Sequence, residues 1–162
     1  MLALALALLA ACPAPDKSDT GDGASTGDTT PTGPGTLLLT FRMDDDYIAA
    51  MAEDGEAPVG PFYGSIYAED DASSLGPNDG AQSLLDFTVE GLDLTPDGGP
   101  DDVSFATDPL DPQIVWILGC LDADGNGCDD VGDPITLPSE NKARVEAGVE
   151  TAFEVYMGML RP

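Results

Sequence analysis

The amino-acid sequence predicts an all-β fold, a single antiparallel β-sandwich of about seven strands. Three observations lead to this prediction. From about residue 36 onward, apolar side chains alternate with a period of two, and this alternation is stronger than any helical period. Gly, Pro, Asn and Asp separate the alternating runs, as they do between sandwich strands. Residues 36–162 also have the size of one ordinary domain.

The predicted strands follow one another through this domain. They are residues 37–43, 62–68, 85–94, 103–105, 114–121, 143–147 and 149–157. The third run changes phase at Glu90-Gly91, and a glycine at a phase change predicts a β-bulge. The fifth run is nearly continuous in apolar residues, which is typical of a strand covered on both faces. Trp116 in this run is expected in the core, and a sugar-stacking platform is the alternative. Residues 46–53 and 81–85 depart from the pattern and are compatible with short helical turns.

The chain begins with an apolar segment, MLALALALLAAC, at residues 1–12. It is shorter than the ~20 residues that span a bilayer, but it fits the apolar region of a secretory signal. Its end, Leu9-Ala10-Ala11-Cys12, resembles a bacterial lipobox. The resemblance implies a signal peptide of residues 1–11 and a diacylglyceryl group on Cys12, whose two chains suffice for a stable membrane anchor. An ordinary secretory signal is the alternative.

Residues 12–35 are predicted to form a disordered, acidic Thr/Gly/Pro tether. Beyond Cys12 this segment has no apolar side chain larger than alanine, so it cannot bury enough surface to offset chain entropy. As a flexible coil it would reach roughly 25–30 Å. We therefore expect an exported, lipid-anchored protein of the cell envelope, held at the membrane by its lipid.

The charge of the chain excludes several functions. It has 31 Asp and Glu, 5 Lys and Arg and no His, for a net charge of −26. Without histidine there is no Ser-His-Asp or Cys-His catalytic system and no histidine zinc site. Phosphate backbones would repel this surface, so no nucleic acid is expected as a partner. Dense carboxylates favour hard divalent cations instead.

One acidic loop, residues 122–133, matches the twelve-residue calcium loop of EF-hands. Glycine stands at position 6, where the loop turns sharply, and oxygen donors stand at the ligand positions 1, 3, 5, 7, 9 and 12. These donors are Asp122, Asp124, Asn126, the carbonyl of Cys128, Asp130 and Asp133. Position 12 is Asp rather than Glu, and no helix flanks the loop. A calcium site of modest affinity, ~0.1–1 mM, is predicted, and a bare Asp/Gly turn is the alternative.

The run LDADGNG at residues 121–127, followed by DVGDP at 130–134, resembles the loops of two protein families. One is the calcium-binding B repeats of surface adhesins. The other is the transthyretin-like domains called carboxypeptidase-regulatory-like. The resemblance implies a β-sandwich with a mostly structural calcium ion and no peptidase activity.

With Cys12 lipidated, two cysteines remain, Cys120 and Cys128, and both belong to this region. In an oxidising compartment they are expected to form a disulfide, which would close a nine-residue ring and stabilise the fold by roughly 2.5 kcal/mol. A free, buried Cys120 with an exposed Cys128 is the alternative.

Two further acidic clusters, Asp44-Asp45-Asp46 and Glu69-Asp70-Asp71, are expected to be solvated loops, with additional ion sites as the alternative. The leading functional hypothesis is a non-enzymatic, calcium-stabilised β-domain with a structural or adhesive role. A second is a calcium-dependent carbohydrate- or peptide-binding module, to which Tyr63, Tyr67 and Tyr156 could contribute. A hydrolase with paired carboxylates is disfavoured because few aromatic residues are available to bind sugar.

Overall fold

The computed structural model describes residues 30–98, 103–128 and 132–160. The predicted signal peptide, Cys12 and the tether as far as residue 29 lie outside the described residues, as does Asp130. Within the described part of the tether, the backbone N–H of Gly35 donates to the carbonyl of Leu110 at 2.9 Å, and the N–H of Leu110 donates back at 2.8 Å. The residues just before the first strand therefore contact the domain.

The described residues form ten strands and one α-helix. The strands are β1 (Thr36–Met43), β2 (Val59–Ala68), β3 (Ala72–Ser73), β4 (Gly76–Pro77), β5 (Leu85–Asp93), β6 (Phe105–Ala106), β7 (Ile114–Leu121), β8 (Pro134–Thr136), β9 (Lys142–Arg144) and β10 (Glu150–Leu160). The helix is α1 (Asp45–Asp54). No helix among the described residues is both long and apolar enough to span a membrane.

Eight of the strands belong to one curved sheet, in the order β5-β2-β7-β8-β10-β1-β6, with β9 paired to β7. Strands β3 and β4 form a separate two-stranded ribbon. β1 and β10 run parallel, in register from Thr36 beside Glu150 to Met43 beside Met157. At the two edges of the sheet, Phe87 of β5 stacks on Phe105 of β6 with ring centroids 4.8 Å apart. The sheet therefore curls until its edges nearly meet.

The predicted β class is confirmed, but the prediction of a purely antiparallel arrangement is wrong, because β1 and β10 pair in parallel. The hydrogen bonds connect one mixed sheet, and a sandwich of two separate sheets is not confirmed. Period-two alternation identifies the buried face of a strand and says nothing about the direction of its neighbour. Parallel neighbours need a long connection, and here nearly the whole domain lies between β1 and β10.

Several predicted elements appear where expected. In the strand predicted at 85–94, Glu90 and Gly91 face one residue of β2, because Gly60 pairs with Leu92 and Phe62 pairs with Val89. Gly91 has a φ of 68°, which glycine adopts easily. The predicted bulge is confirmed. The helical turn expected at 46–53 is α1, whereas residues 81–85 are not helical.

Acidic residues and a glycine define the ends of α1. Asp45 and Asp46 occupy its first turn, where negative charge interacts favourably with the helix dipole. Gly55 ends the helix in the left-handed conformation, with a φ of 82°. Met51 is 1% exposed and packs into the core, so it anchors the helix to the sheet.

The core lies on the concave face of the sheet. It combines aliphatic and aromatic side chains, including the contacting rings of Phe41, Phe62 and Phe87. Trp116 is not part of it, so the expectation of a core tryptophan is wrong. Its side chain is half-buried on the opposite face of β7, where its Nε1–H donates to the carbonyl of Glu69 at 3.0 Å. A continuous apolar run does not show which face of the strand packs against the core.

Candidate metal site

The acidic loop connects β7 to β8, and the pairing of these strands brings its two ends together. Cys120 of β7 lies opposite Ile135 of β8. Asp122 follows the last residue of β7, and Asp133 precedes the first residue of β8. The backbone N–H of Asp122 also donates to the carbonyl of Pro61 at 3.0 Å. The two ends of the loop are therefore held by the sheet.

Three predicted ligands converge in this loop. Asp122, Asp124 and Asp133 each offer a carboxylate oxygen, and these oxygens all lie within 4.8 Å of one another. Asp122 and Asp133 are each only 5% exposed, whereas Asp124 is exposed. Burying like charges this close together is unfavourable unless a cation or a proton compensates them. The cluster is therefore suited to a positively charged ligand.

Backbone hydrogen bonds shape the loop around these carboxylates. Asp122 Oδ1 accepts from the N–H of Gly125 at 2.9 Å, and Asp133 Oδ1 accepts from the N–H of Ala123 at 3.3 Å. Asp124 accepts from the backbone N–H of Asn126 at 3.2 Å and from its side-chain amide at 2.6 Å. The first half of the loop thus folds over the carboxylates. Asn126, a predicted ligand, contacts this group through Asp124.

Cys120 and Cys128 lie at disulfide distance, with their Cα atoms 6.1 Å apart. The structure therefore pairs the cysteines that the sequence predicts to be bonded. Cys128 is also the residue whose carbonyl is predicted at position 7. Asp130, predicted at position 9, lies outside the described residues.

Gly60 is a residue of this region that sequence reasoning missed. A Cβ atom at this position would lie 2.0 Å from the carbonyl oxygen of Asp122, so only glycine lets β2 approach the start of the loop this closely. Its place in an alternating strand, two residues before Phe62, gave no hint of this contact.

The salt bridges between pairs of described residues lie away from the loop. Arg42 pairs with Glu154 at 3.0 Å, and Lys142 pairs with Glu69 at 2.6 Å. The guanidinium of Arg42 and the ammonium of Lys142 also lie over the rings of Tyr156 and Trp116, at 4.9 and 5.0 Å from the ring centroids. These two cations are therefore engaged on the outer face of the sheet.

The two other acidic clusters have separate structural positions. Asp44 precedes α1 and accepts a hydrogen bond from the hydroxyl of Tyr156. This hydrogen bond, together with burial, raises the pKa of Tyr156 to about 12. Residues Glu69–Asp71 form a single 3-10 turn after β2. Within the described residues, the carboxylates that converge tightly enough to hold a metal are those of the 122–133 loop.

Comparisons with protein-family models, with curated proteins and with solved structures found no match. The fold and the site by themselves define a mostly β domain with a curled mixed sheet, in which a disulfide and three converging carboxylates occupy one inter-strand loop.

Proposed function

We propose that the 122–133 loop binds a calcium ion that stabilises the β-domain. The observation that carries the proposal is the convergence of Asp122, Asp124 and Asp133 within 4.8 Å, with two of them buried. These are the residues at positions 1, 3 and 12 of the calcium-loop pattern. A divalent cation would relieve their mutual repulsion and join the ends of β7 and β8.

The donor chemistry favours calcium over softer metals. The converging donors are oxygens, the chain has no histidine, and the nearby sulfurs are paired with each other. Zinc and copper prefer imidazole and thiolate ligands, whereas calcium takes six to eight oxygens in flexible geometry. Backbone carbonyls and water would complete the coordination shell. Asn126, Cys128 and Asp130 remain the proposed additional ligands.

The proposed role of the whole protein is structural or adhesive and non-enzymatic, at the cell envelope. The lipobox-like end at Cys12 and the acidic tether support an exported, lipid-anchored protein. The absence of histidine supports a non-catalytic role. Calcium available outside the cell would keep a site of modest affinity loaded.

Thermal unfolding with and without calcium tests the proposal. We expect 5 mM calcium to raise the Tm of the exported protein and a chelator to reverse the rise. The double variant Asp122→Asn with Asp124→Asn should show no calcium-dependent rise in Tm. The matched control is Asp45→Asn with Asp46→Asn, which removes the same charge from α1 and should keep the calcium-dependent rise. An unchanged Tm in calcium would refute the proposal.

A second candidate function is calcium-dependent binding of a carbohydrate or peptide on the outer face of the sheet. The observation that favours it is that Tyr63, which is 44% exposed, and Tyr67 lie four residues apart on the outer face of β2. Aromatic rings on one face of a sheet can stack against sugar rings. This function is supported if glycans bind in calcium but not in chelator, and if binding is lost in Tyr63→Ala with Tyr67→Ala while the calcium-dependent rise in Tm is kept.

A further inference from the structure

The disulfide ties the middle of the acidic loop to the sheet. Cys120 is the penultimate residue of β7, where it lies between Tyr63 of β2 and Ile135 of β8. It is 9% exposed, so neighbouring strands hold it from both sides. Cys128 lies six residues beyond Asp122. The bond between the two sulfurs therefore fixes the far side of the loop relative to a rigid strand.

The disulfide constrains the positions of the three converging carboxylates to different degrees. Asp122 and Asp133 directly adjoin β7 and β8, so the sheet positions them. Asp124 is exposed and lies inside the ring that the disulfide closes. The hydrogen bonds that it accepts from Asn126 come from two residues away and move with the loop. The N–H groups of the two chain neighbours of Asp124, Ala123 and Gly125, donate to Asp133 and Asp122. The disulfide adds a covalent constraint to the segment that carries Asp124.

We infer that the Cys120–Cys128 disulfide controls the cation affinity of the 122–133 loop, so that its reduction switches the site to a weakly binding state. This inference rests on the calcium site proposed above. A dithiol reductant would supply two electrons and two protons: the S–S bond breaks, each cysteine becomes a thiol, and the reductant closes into its own disulfide. The opened loop must then be ordered each time an ion binds, which costs conformational entropy.

The coupling is reciprocal. If the oxidised loop binds calcium more tightly than the reduced loop, bound calcium must favour the oxidised form by the same factor. The loaded loop holds Cys128 close to Cys120, which opposes the separation of the two sulfurs. Calcium should therefore slow reduction of the disulfide as well as disfavour it.

The first test measures calcium affinity by isothermal titration calorimetry. It uses the exported full chain in detergent and the double variant Cys120→Ser with Cys128→Ser. We expect the oxidised wild type to bind one ion and the double variant to bind on the order of tenfold more weakly. A second measurement follows reduction by dithiothreitol in calcium, in chelator and in magnesium at equal ionic strength. Mass spectrometry of the alkylated peptides distinguishes Cys120 and Cys128 from Cys12. Reduction should be slowest in calcium.

The outcomes separate the coupling from the site itself. Equal calcium affinity in the wild type and a folded double variant would overturn the coupling and leave the calcium site standing. The absence of calcium binding by the oxidised protein would overturn both. If the double variant does not fold, the rate at which dithiothreitol reduces the wild-type disulfide tests the coupling. A reduction rate that does not depend on calcium would overturn it. In Asp122→Asn with Asp124→Asn, the rate should lose its calcium dependence.

Discussion

At the scale of single residues, the burial and the electrostatic environment of each carboxylate depend on its position in the fold. Asp122 and Asp133 are buried next to strand ends, whereas Asp45 and Asp46 are exposed at the start of a helix that their charges favour. Burial beside another carboxylate is unfavourable for the former unless a cation or a proton compensates the charge, whereas water solvates the latter. The calcium-loop spacing in the sequence identifies Asp122 and Asp133 as candidate ligands, and both are buried in the structure.

Replacing Gly60 by alanine, which adds a single methyl group, should destabilise the domain. Gly60→Ala would place a Cβ atom 2.0 Å from the carbonyl oxygen of Asp122, so β2 and the start of the loop must separate. We expect a loss of about 1–3 kcal/mol in the free energy of unfolding and a smaller calcium-dependent rise in Tm. Urea unfolding and thermal melts measure both. Val59→Ala, at an exposed neighbouring position, is the control and should change neither.

Tyr156 should make stability depend on alkaline pH. Its hydrogen bond to Asp44 raises its pKa to about 12, above the ordinary value of 10.0. The folded state thus favours the protonated hydroxyl, so the contribution to stability is complete below pH 10 and is lost as the pH rises through 12. We expect Tyr156→Phe to lose less stability than the wild type over this interval in urea unfolding series.

Asp44→Asn provides the complementary test, because it removes the charged acceptor and keeps a side chain of the same size. The pKa of Tyr156 should fall toward its ordinary value, which ultraviolet absorbance of the tyrosinate would detect. An unchanged titration curve would contradict the assigned hydrogen bond.

At the scale of elements, alternation located the strands well because each buries one face. Seven predicted runs overlap strands of the structure, and the bulge at Glu90-Gly91 lies where the phase changes. The strands that escaped prediction, β3, β4 and β8, are two or three residues long. β6 and β9 are equally short, but they overlap the longer predicted runs 103–105 and 143–147, whereas the sequence predicts no run at β3, β4 or β8. β8 forms by hydrogen bonding to β7 and β10.

Helix α1 should depend on one buried side chain. Met51 is 1% exposed and contributes to the core, so Met51→Ala removes apolar contacts and leaves a cavity. We expect the free energy of unfolding to fall by about 2–5 kcal/mol in urea titrations. The exposed Glu53 supplies the control, since Glu53→Ala should change stability by less than about 0.5 kcal/mol.

At the scale of the whole molecule, the net charge of −26 opposes the compact state through self-repulsion. A single calcium ion offsets two of these charges. The proposed ion therefore acts mainly at its own loop, while the remaining carboxylates keep the surface strongly anionic and hydrated.

Varying the salt concentration should separate the general repulsion between carboxylates from the specific effect of calcium at the loop. Raising NaCl from about 20 mM to about 500 mM shortens the screening length, so the Tm should rise in the wild type and equally in Asp122→Asn with Asp124→Asn. Calcium at matched ionic strength should add a further rise in the wild type alone. An identical response of both proteins to calcium would show that the ion acts only by screening.

The sequence by itself determined the β class, the bulge and the cysteine pairing, and it predicts a calcium-loop register for residues 122–133. Each of these depends on residues close together in the chain, where alternation, glycine and ligand spacing act directly. Only the tertiary structure decided that β1 and β10 pair in parallel, that Trp116 faces outward, and that Gly60 adjoins Asp122. These features arise between segments that are distant in sequence, because hydrogen bonding and packing select the neighbours of each strand only when the whole sheet has formed.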